Sequence, residues 1–309
     1  MKAVICPKYG PPEVLQIREI DRPVPQEKEI LIQIRATSVH RGDTRIRGLD
    51  LPGPEWQKLL ARLALGLRGP RKSILGMELA GIISETGPAV TRWKSGDRVF
   101  ASTVWSGFGS YAEYKTMPED GILAPMPSNL SFEEAAVIPS GGITALGIIK
   151  LGDIQPGDQV LIYGASGSIG TYSVQLARIK KAEITGVCSG SNTGLVRSLG
   201  AKKVLDYTKT NFTLKPGSYD LVLDAVGCLS PPLARSALKE NGTYLDVHSA
   251  SDRIKKNLVQ SLLDELKTLV EEGQLIPVID RIFPLEEITA AHRYVEGGHK
   301  IGNVAVSIS

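Results

Sequence analysis

Residues 159 to 177 read QVLIYGASGSIGTYSVQLA, and this stretch decides the fold class. It begins with the apolar run QVLIY, passes through Gly164, Gly167 and Gly170, and ends in residues with helical periodicity. Glycines at a strand-to-helix turn let the backbone approach a diphosphate whose charge faces the helix N-terminus. Glycine-rich turns also occur for structural reasons, so the spacing predicts a dinucleotide site only if strands and helices alternate in the surrounding chain.

The chain around the turn meets this condition, because strand-like runs alternate with helical stretches there. The runs are 159–163, 183–188, 202–207, 220–226 and 243–247, and the helical stretches are 170–180, 193–200 and 230–240. Apolar strands that alternate with amphipathic helices indicate a parallel sheet covered on both faces. The fold class predicted here is α/β, a Rossmann doubly wound sheet. The residues predicted to hold the diphosphate are Gly164, Ala165, Ser166, Gly167, Ser168, Ile169 and Gly170.

The first 120 or so residues follow a different pattern. The runs 30–39 and 77–87 are strand-like, and Pro and Gly interrupt the chain between such runs, as in a barrel of short antiparallel strands. Two helical stretches, 257–273 and 285–298, and a strand, 303–308, follow the α/β region without a sheet of their own. We therefore predict a β-rich domain of residues 1–122 with 257–309 and a dinucleotide-binding domain of residues 123–256.

Composition excludes several classes of protein. The chain has 309 residues, 42% hydrophobic and 22% charged, which suits a soluble protein of one large or two ordinary domains. A net charge of +3 with scattered basic residues favours neither nucleic acid nor a membrane as partner. The one basic cluster, within 54–73, is interpreted as an exposed helical excursion. Three cysteines suit a reducing compartment, and the N-terminus resembles no targeting signal, so we expect a cytoplasmic protein.

The end of the second predicted strand selects the dinucleotide. NAD sites usually place Asp or Glu there to accept from the ribose hydroxyl, whereas this chain reads VCSGSN, with Cys188 and Ser189 at that place. Ser189, Ser191 and Asn192 offer donors to a ribose phosphate, Arg197 follows about one helical turn later, and no acid would repel the phosphate. NADPH is therefore favoured and NADH remains possible. The same polar residues can also cap the next helix, and both roles are compatible.

The order of parts resembles the medium-chain dehydrogenase/reductase superfamily, and in particular its zinc-independent quinone oxidoreductase-like branch. The resemblance runs nearly end to end, and it rests on the following stretches: KYGPPEVLQI (8–17), LGMELAGIISETGPAVTRWKSGDRVF (75–100), FGSYAEY (108–114), GITA (142–145), the glycine turn, LVRSLGAKKVLDY (195–207), YDLVLDAVG (219–227) and PLEEITAAHRYVEGGHKIGNVAV (284–306). It implies that the β-rich domain is GroES-like and carries the catalytic residues.

The resemblance also bears on metal binding. Zinc-containing members have a Cys in the segment that reads VHRGD here and a His before the Glu of the segment that reads GMELAG, where this chain has His40 and Met77. A catalytic zinc needs about three protein ligands. His40, Asp43 and Glu78 can be imagined around another ion, but no spacing favours it, so we expect no metal.

The resemblance implies catalytic positions near the nicotinamide. Zinc-free reductases usually have Asn at the position of His40 and Asp three residues later, so Asp43 matches and His40 departs. An imidazole can donate to a carbonyl oxygen and titrates near neutrality, although a lone His is as often structural. Thr144 and the backbone of Ala225, Val226 and Gly227 are implied to line the nicotinamide pocket, and Tyr207 to lie at the adenosine phosphate end. Relatives often carry Lys or Arg where this chain has Ser191 and Thr193, which leaves Arg197 as the nearest cation.

These features together predict hydride transfer from NADPH to a small electron-poor acceptor, a quinone, an enone or an aldehyde-like compound, without metal. Two alternatives stay open: an enoyl-thioester reductase with Tyr9 or Tyr111 as proton donor, and a non-catalytic NADPH-binding protein. Relatives often form a homodimer through the edge of the Rossmann sheet. The connection 248–256 is shorter than in relatives, which usually add a sixth strand there, so either the sheet has one strand fewer or the chain omits a stretch.

Overall fold

A computed structural model describes residues 1–50, 56, 60, 62–63, 65–209 and 213–309. The chain forms two compact units, which we call the β-rich unit (Met1–Ser140 with Ile279–Ser309) and the α/β unit (Gly141–Val278). Part of the basic segment 54–73, including Lys58, lies outside the described residues, and so do residues 210–212. No helix in the described part of the chain is both long and apolar enough to cross a membrane.

The regular elements follow in chain order. The strands are β1 (Lys2–Ile5), β2 (Gln16–Glu19), β3 (Glu29–Ser38), β4 (Glu78–Thr86), β5 (Arg98–Ser102), β6 (Tyr114–Pro118), β7 (Leu123–Pro125), β8 (Gln159–Tyr163), β9 (Glu183–Cys188), β10 (Lys203–Asp206), β11 (Tyr219–Asp224), β12 (Leu238–Asp246), β13 (Ile279–Pro284) and β14 (Asn303–Ser307). The helices are α1 (Arg41–Gly48), α2 (Phe132–Ala136), α3 (Pro139–Leu151), α4 (Ser168–Ile179), α5 (Thr193–Ser198), α6 (Pro231–Ala237), α7 (Val247–Ser251), α8 (Lys256–Glu271) and α9 (Ile288–Glu296).

The α/β unit contains a five-stranded sheet in the order β10-β9-β8-β11-β12, and every pairing in it is parallel. The five predicted strand runs are confirmed. The order of the sheet reverses between β8 and β11, whose last residues Tyr163 and Asp224 are paired. Ligands of such sheets bind outside the carboxyl ends of the strands at this switch point. After β12 the described chain enters α7 directly and adds no sixth strand.

The β-rich unit is built around a sheet in the order β13-β14-β3-β4-β5-β7, with β6 also paired to β3. Pairings are antiparallel except between β13 and β14, as predicted for short antiparallel strands. Strand β3 is buried along most of its length because it has partners on both edges and Ile30, Ile32 and Ile34 in the core. The returning segments α9 and β14 pack into the same core.

The bounds of the two units differ from the predicted domains at both junctions. At the first, β7 pairs with β5, and this pairing keeps the chain in the β-rich unit beyond residue 122. At the second, α8 remains with the α/β unit, where Glu265 forms an ion pair with Lys150 at 2.7 Å and the Gln175 amide donates to the carbonyl of Ile276 at 3.0 Å. Pairing and packing partners distant in sequence set these bounds, so local pattern placed them imperfectly.

Candidate active site

The glycine turn joins β8 to α4, as predicted. Gly164 adopts a left-handed conformation with a φ of 77°, which favours glycine. The backbone N–H groups of Gly164 and Ala165 both donate to the carbonyl of Val187, at 3.0 and 2.9 Å, so the turn is fixed to the end of β9. Gly167 is the N-cap of α4 and has extended geometry.

The three glycine positions differ in the space that a side chain would find there. A Cβ atom at Gly170 would lie 2.1 Å from the carbonyl oxygen of Gly164, and one at Gly164 would lie 2.2 Å from Cγ2 of Val226. Both positions therefore require glycine for the turn to form. A Cβ at Gly167 would meet only the Gly164 oxygen at 3.5 Å, and its φ of −82° suits any residue. The protein itself thus leaves room at Gly167.

The start of α4 is suited to an anion. Gly167 provides no side-chain cap, and the first turn of α4 contains no acidic residue. N–H groups in the first turn of a helix have no acceptor within the helix, and the helix dipole favours negative charge there. Ser168, Ile169 and Gly170 form this first turn, while Ala165 is fully buried beneath it. This arrangement fits a diphosphate held by backbone amides.

The polar residues at the end of β9 form one hydrogen-bonded cluster with the glycine turn. The side-chain amide of Asn192 donates to the hydroxyl of Ser166 at 3.2 Å and to that of Ser189 at 3.1 Å. The hydroxyl of Ser191 donates to Oδ1 of Asn192 at 3.3 Å. Cys188 is buried, and burial raises the pKa of its thiol to about 11, so it stays neutral. The structure therefore brings these predicted residues together.

The expectation that no acid lies near this cluster is wrong. Strand pairing sets Asp206 opposite Cys188, and a Cβ at Gly190 would lie 2.5 Å from Oδ2 of Asp206. Hydrogen bonds from the hydroxyl and backbone N–H of Thr208 hold the pKa of Asp206 below its usual range, so the carboxylate is charged. The register between β9 and β10 places this charge beside Gly190, the residue between Ser189 and Ser191 in the chain, which sequence spacing did not reveal.

Tyr207 and Arg197 flank the same edge of the sheet. The Tyr207 ring is 44% exposed and lies 6.5 Å, centroid to centroid, from the ring of Tyr163 at the end of β8. Arg197 lies exposed in the last turn of α5. Its contribution to a phosphate site stays a prediction.

The turn after β11 lies at the switch point of the sheet. Asp224 is fully buried and accepts from the N–H groups of Val226 at 3.0 Å, Gly227 at 2.8 Å and Leu229 at 2.7 Å. The N–H of Ala225 donates to the carbonyl of Tyr163 at 3.0 Å. Val226 is 44% exposed, so the turn presents an apolar side chain at its surface.

Two further residues lie near these turns. The imidazole of His248 packs on Gly227, since a Cβ there would lie 2.5 Å from Nε2 of His248. Sequence reasoning missed this contact, because the short connection after β12 is what brings α7 to the turn. Thr144 lies on α3, three residues after Gly141, whose Cβ would lie 2.4 Å from Oγ of Ser168. The start of α3 thus approaches the first residue of α4.

His40 and Asp43 form a helix cap in the β-rich unit. His40 is the N-cap of α1 and its Nδ1 accepts from the N–H of Gly42 at 3.2 Å, while Oδ2 of Asp43 accepts from the N–H of His40 at 2.9 Å. Oδ1 of Asp43 accepts from the N–H of Gly76 at 3.1 Å. Asp43 is only 1% exposed, and its carboxylate fixes the N-cap of α1 that contains His40.

His40 does not titrate near neutrality as expected. Burial, followed by the charges of Lys300 and Arg45, lowers the pKa of this imidazole to about 4. A neutral imidazole whose Nδ1 accepts a hydrogen bond carries its proton on Nε2. His40 is therefore a hydrogen-bond donor, and it is uncharged across the neutral range.

A second buried carboxyl group lies near Asp43. Glu78 is 1% exposed, accepts from the hydroxyl of Ser38 and accepts from the N–H of Ser140 at 2.6 Å. Burial raises the pKa of Glu78 to about 7, and burial raises that of Asp43 to about 7 with a further contribution from the Glu78 charge. The Lys300 ammonium, whose own pKa burial lowers to about 8, favours the charged form of Glu78.

Neither tyrosine considered as a proton donor is suited to that role. Tyr111 is fully buried, and burial raises its pKa well above the usual value. The hydroxyl of Tyr9 donates to the carbonyl of Gly66 at 2.9 Å. Sequence analysis did not single out Trp105, whose side chain is 50% exposed. Trp105 lies two residues after Thr103, whose hydroxyl donates to the carbonyl of Gly76 at 2.7 Å.

Comparison with known proteins gives consistent matches. A model of the alcohol dehydrogenase GroES-like domain matches residues 26–128, and one described as zinc-binding dehydrogenase matches residues 199–306. The chain is 30% identical to the NADPH-dependent alkenal/one oxidoreductase of Arabidopsis thaliana, over 99% of this chain and 79% of that protein. It is also 30% identical to the chloroplast envelope quinone oxidoreductase homolog of the same plant, over 93% and 92% of the two chains.

A solved structure has the same architecture. The quinone oxidoreductase from Coxiella burnetii superimposes with a TM-score of 0.85 and 28% identity, covering 100% of this chain and 99% of that one. The likeness extends over both units, so the β-rich unit is GroES-like and the α/β unit is a Rossmann domain.

Proposed function

The chain belongs to the quinone oxidoreductase-like branch of the medium-chain dehydrogenase/reductase superfamily, and on this basis we propose that it reduces a quinone or an α,β-unsaturated carbonyl with NADPH. The proposal rests on the glycine turn at residues 164–170, where two positions exclude any side chain and α4 starts without a side-chain cap. A small acceptor is supported by the names of the relatives, which are oxidoreductases of alkenals and quinones.

The residues of this chain bind and orient both reactants. The backbone amides at the start of α4 hold the diphosphate, and the hydroxyls of Ser189 and Ser191 with the amide of Asn192 hold the adenosine end. The turn of Ala225, Val226 and Gly227, fixed by Asp224, supports the nicotinamide, which supplies the hydride when the coenzyme is bound. Thr144 and Tyr207 are proposed as further contacts to the coenzyme.

His40 is proposed to stabilise the oxygen of the acceptor. Its Nε2–H can donate to a carbonyl oxygen that gains negative charge as hydride arrives, and such preorganised donors contribute strongly to catalysis. Asp43 acts through His40, because it fixes the cap that sets the orientation of the ring. The pKa of about 4 means that His40 polarises the oxygen as a neutral donor.

Independence from zinc is part of the proposal. Met77 precedes Glu78 where zinc-containing relatives place His, and in the described ranges no group of three or more His, Cys, Asp and Glu side chains could hold a metal ion. Without a Lewis acid to bind an alkoxide, oxidation of simple alcohols should be poor.

The test follows NADPH absorbance with a panel of acceptors: a benzoquinone, a linear enone, an enoyl thioester, and a primary alcohol with the oxidised coenzyme. We expect turnover with the quinone or the enone and little with the alcohol. Turnover confined to the thioester would favour the enoyl-thioester alternative. Coenzyme binding without turnover of any compound would favour a non-catalytic protein and would overturn the proposal.

Replacement of His40 tests its assignment. His40→Ser keeps an N-cap side chain for α1 but is too short to reach an acceptor oxygen, so we expect kcat to fall about 100-fold with an unchanged melting temperature. His40→Asn keeps both a cap and a donor and should retain most activity. The wild-type rate should not vary between roughly pH 6 and 8 through this group, because its pKa lies near 4. Full activity of His40→Ser would remove His40 from the mechanism.

Asp206 should moderate the preference for NADPH. Its carboxylate lies beside Gly190 and repels a ribose phosphate bound by Ser189 and Ser191. Asp206→Asn is therefore expected to tighten NADPH about fivefold, equivalent to about 1 kcal/mol, and to leave NADH unchanged. Asp264→Asn on α8 is the matched control with an exposed carboxylate. Fluorescence titration measures both affinities, and equal tightening of NADPH and NADH would exclude a phosphate at this place.

The location and assembly of the protein are proposed on separate grounds. Cys6, Cys188 and Cys228 are all free thiols, which suits the cytoplasm. Strand β12 lies at the edge of the Rossmann sheet and has no partner on its outer side among the described residues, so we propose that a second copy pairs there to form a homodimer.

A further inference from the structure

The β-rich unit has a cavity of about 480 Å³ whose lining is basic. Three cationic side chains, those of Arg71, Lys72 and Lys115, and one acidic side chain, that of Glu29, contribute to its wall. The formal charge of the lining is therefore +2, from three positive groups and one negative. The volume falls in the range of about 300–1,000 Å³ that is typical of small-molecule sites.

The two lysines converge on one loop, Gly107 to Gly109. A Cβ at Gly107 would lie 3.4 Å from Cε of Lys72, and a Cβ at Gly109 would lie 3.3 Å from Nζ of Lys115. All three loop residues have left-handed φ angles, of 79° at Gly107, 62° at Phe108 and 102° at Gly109. A non-glycine residue such as Phe108 rarely adopts this conformation, and such strain is concentrated at functional sites.

The positive charge of the cavity is poorly compensated by the protein. The Lys115 ammonium donates to the carbonyl of Ser106 at 3.2 Å, and in the described part of the chain no carboxylate lies within ion-pair distance of Lys72 or Lys115. Glu29 itself accepts from the N–H of Gln26 at 3.0 Å. Burial, followed by the charge of Lys72, lowers the pKa of Lys115 to about 8, while Glu29 acts in the opposite direction. An anion from solution would relieve this repulsion.

Hydroxyl groups in the lining favour a phosphate over a simple carboxylate. Ser73 and Thr116 both line the cavity, and within the described ranges neither hydroxyl has a hydrogen-bond partner. Two ammonium groups with additional hydroxyl donors match the several acceptor oxygens of a phosphate. The cavity lies at the opposite end of β3 from the contact between Ser38 and Glu78. Glu29, in the cavity wall, begins this strand, and Ser38, whose hydroxyl donates to Glu78, ends it. About 30 Å of extended strand therefore separates Glu29 from Ser38.

We propose that the cavity lined by Lys72, Lys115 and Arg71 binds the phosphate group of a small molecule. This site belongs to the β-rich unit, whereas the glycine turn belongs to the α/β unit, so the proposal does not depend on coenzyme binding. The phosphate can come from a free inorganic ion or from a phosphorylated acceptor.

Calorimetric titration with pyrophosphate provides the test, on protein alone and on protein saturated with oxidised coenzyme, so that binding at the glycine turn is recognised. We expect one pyrophosphate with a Kd of roughly 0.1–1 mM to remain in the presence of coenzyme. Lys72→Met and Lys115→Met each keep an unbranched stem and should weaken this binding about tenfold or more. The matched control Lys94→Met, on the exposed surface of the same unit, should bind as the wild type does.

The variants also separate loss of the site from loss of the fold. Lys115→Met removes a half-buried charge that is repelled by Lys72, so its melting temperature should equal or exceed that of the wild type. Binding to the wild type near pH 8 should take up a proton, because an anion raises the pKa of Lys115, and the uptake should vanish in Lys115→Met. Absence of pyrophosphate binding, or equal binding by all three variants, would overturn the proposal.

A kinetic arm distinguishes the two sources of phosphate. If the phosphate belongs to the acceptor, Lys115→Met should raise KM for a phosphorylated enone and leave KM for its dephosphorylated form unchanged. If it is a separate ion, both KM values should stay unchanged while pyrophosphate binding is lost. The dephosphorylated compound tests reduction alone, so failure of the phosphate site and failure of the proposed reductase activity give different results.

Discussion

Gly170→Ala should abolish measurable coenzyme binding and destabilise the α/β unit. The added Cβ would lie 2.1 Å from the Gly164 oxygen and 2.8 Å from Cα of Ala165, and both are backbone atoms that cannot rotate away. The turn must open, at a cost of about 3 kcal/mol or more. Urea denaturation followed by far-UV circular dichroism gives the stability change, and fluorescence titration gives the affinity.

Gly167→Ala is the informative companion to that variant. The protein leaves space at this position, so stability should change by less than about 1 kcal/mol. A diphosphate seated on the start of α4 would meet the new methyl group, so NADPH affinity should still fall tenfold or more. A variant that folds normally and binds NADPH like the wild type would place the coenzyme elsewhere.

Asp43→Ala should destabilise the β-rich unit by about 3 kcal/mol. The N–H groups of His40 and Gly76 would lose their acceptor, and each unsatisfied buried group costs about 1–3 kcal/mol. This cost corresponds to a fall in Tm of roughly 6–12 °C. Asp43→Asn keeps one acceptor oxygen and should lose less. Equal stability of Asp43→Ala and the wild type would contradict the capping role.

The same carboxyl group predicts a pH dependence. Burial raises the pKa of Asp43 in the native state from its ordinary value of 3.8 to about 7, so the folded protein binds this proton more tightly than the unfolded chain does. Its contribution to stability is present in full below about pH 4 and is lost as the pH rises through about 7. The free energy of unfolding should therefore decrease across this window, and decrease less in Asp43→Asn. Denaturation curves at several pH values measure both slopes.

The sequence predicted the Rossmann sheet correctly because its signals are local. Each strand is a short apolar run, each connection is an amphipathic stretch, and Gly170 is dictated by contacts within the turn itself, with the backbone of Gly164 and Ala165. The cluster of Ser189, Ser191 and Asn192 was predicted for the same reason, since it lies directly after β9.

Features that depend on distant parts of the chain were not predictable in this way. Asp206 reaches Gly190 through the register of two strands, and His248 reaches Gly227 through the path of the chain after β12. Strand β13 was missed because its residues are half-exposed and lack a clear apolar alternation. The low pKa of His40 depends on burial and on Lys300, which lies 260 residues later in the chain. Tertiary packing controls each of these properties.

The buried Asp224 carboxylate accepts from the amides of Val226, Gly227 and Leu229, and it thereby separates two tasks within the turn after β11. The shape of the loop is set by hydrogen bonds from main-chain N–H groups to the carboxylate, which do not involve the exposed side chains of the loop. Exposed positions such as Val226 and Cys228 can therefore diversify during evolution without loss of backbone geometry. Selection for new acceptors can act on these side chains while the scaffold that presents them remains the same.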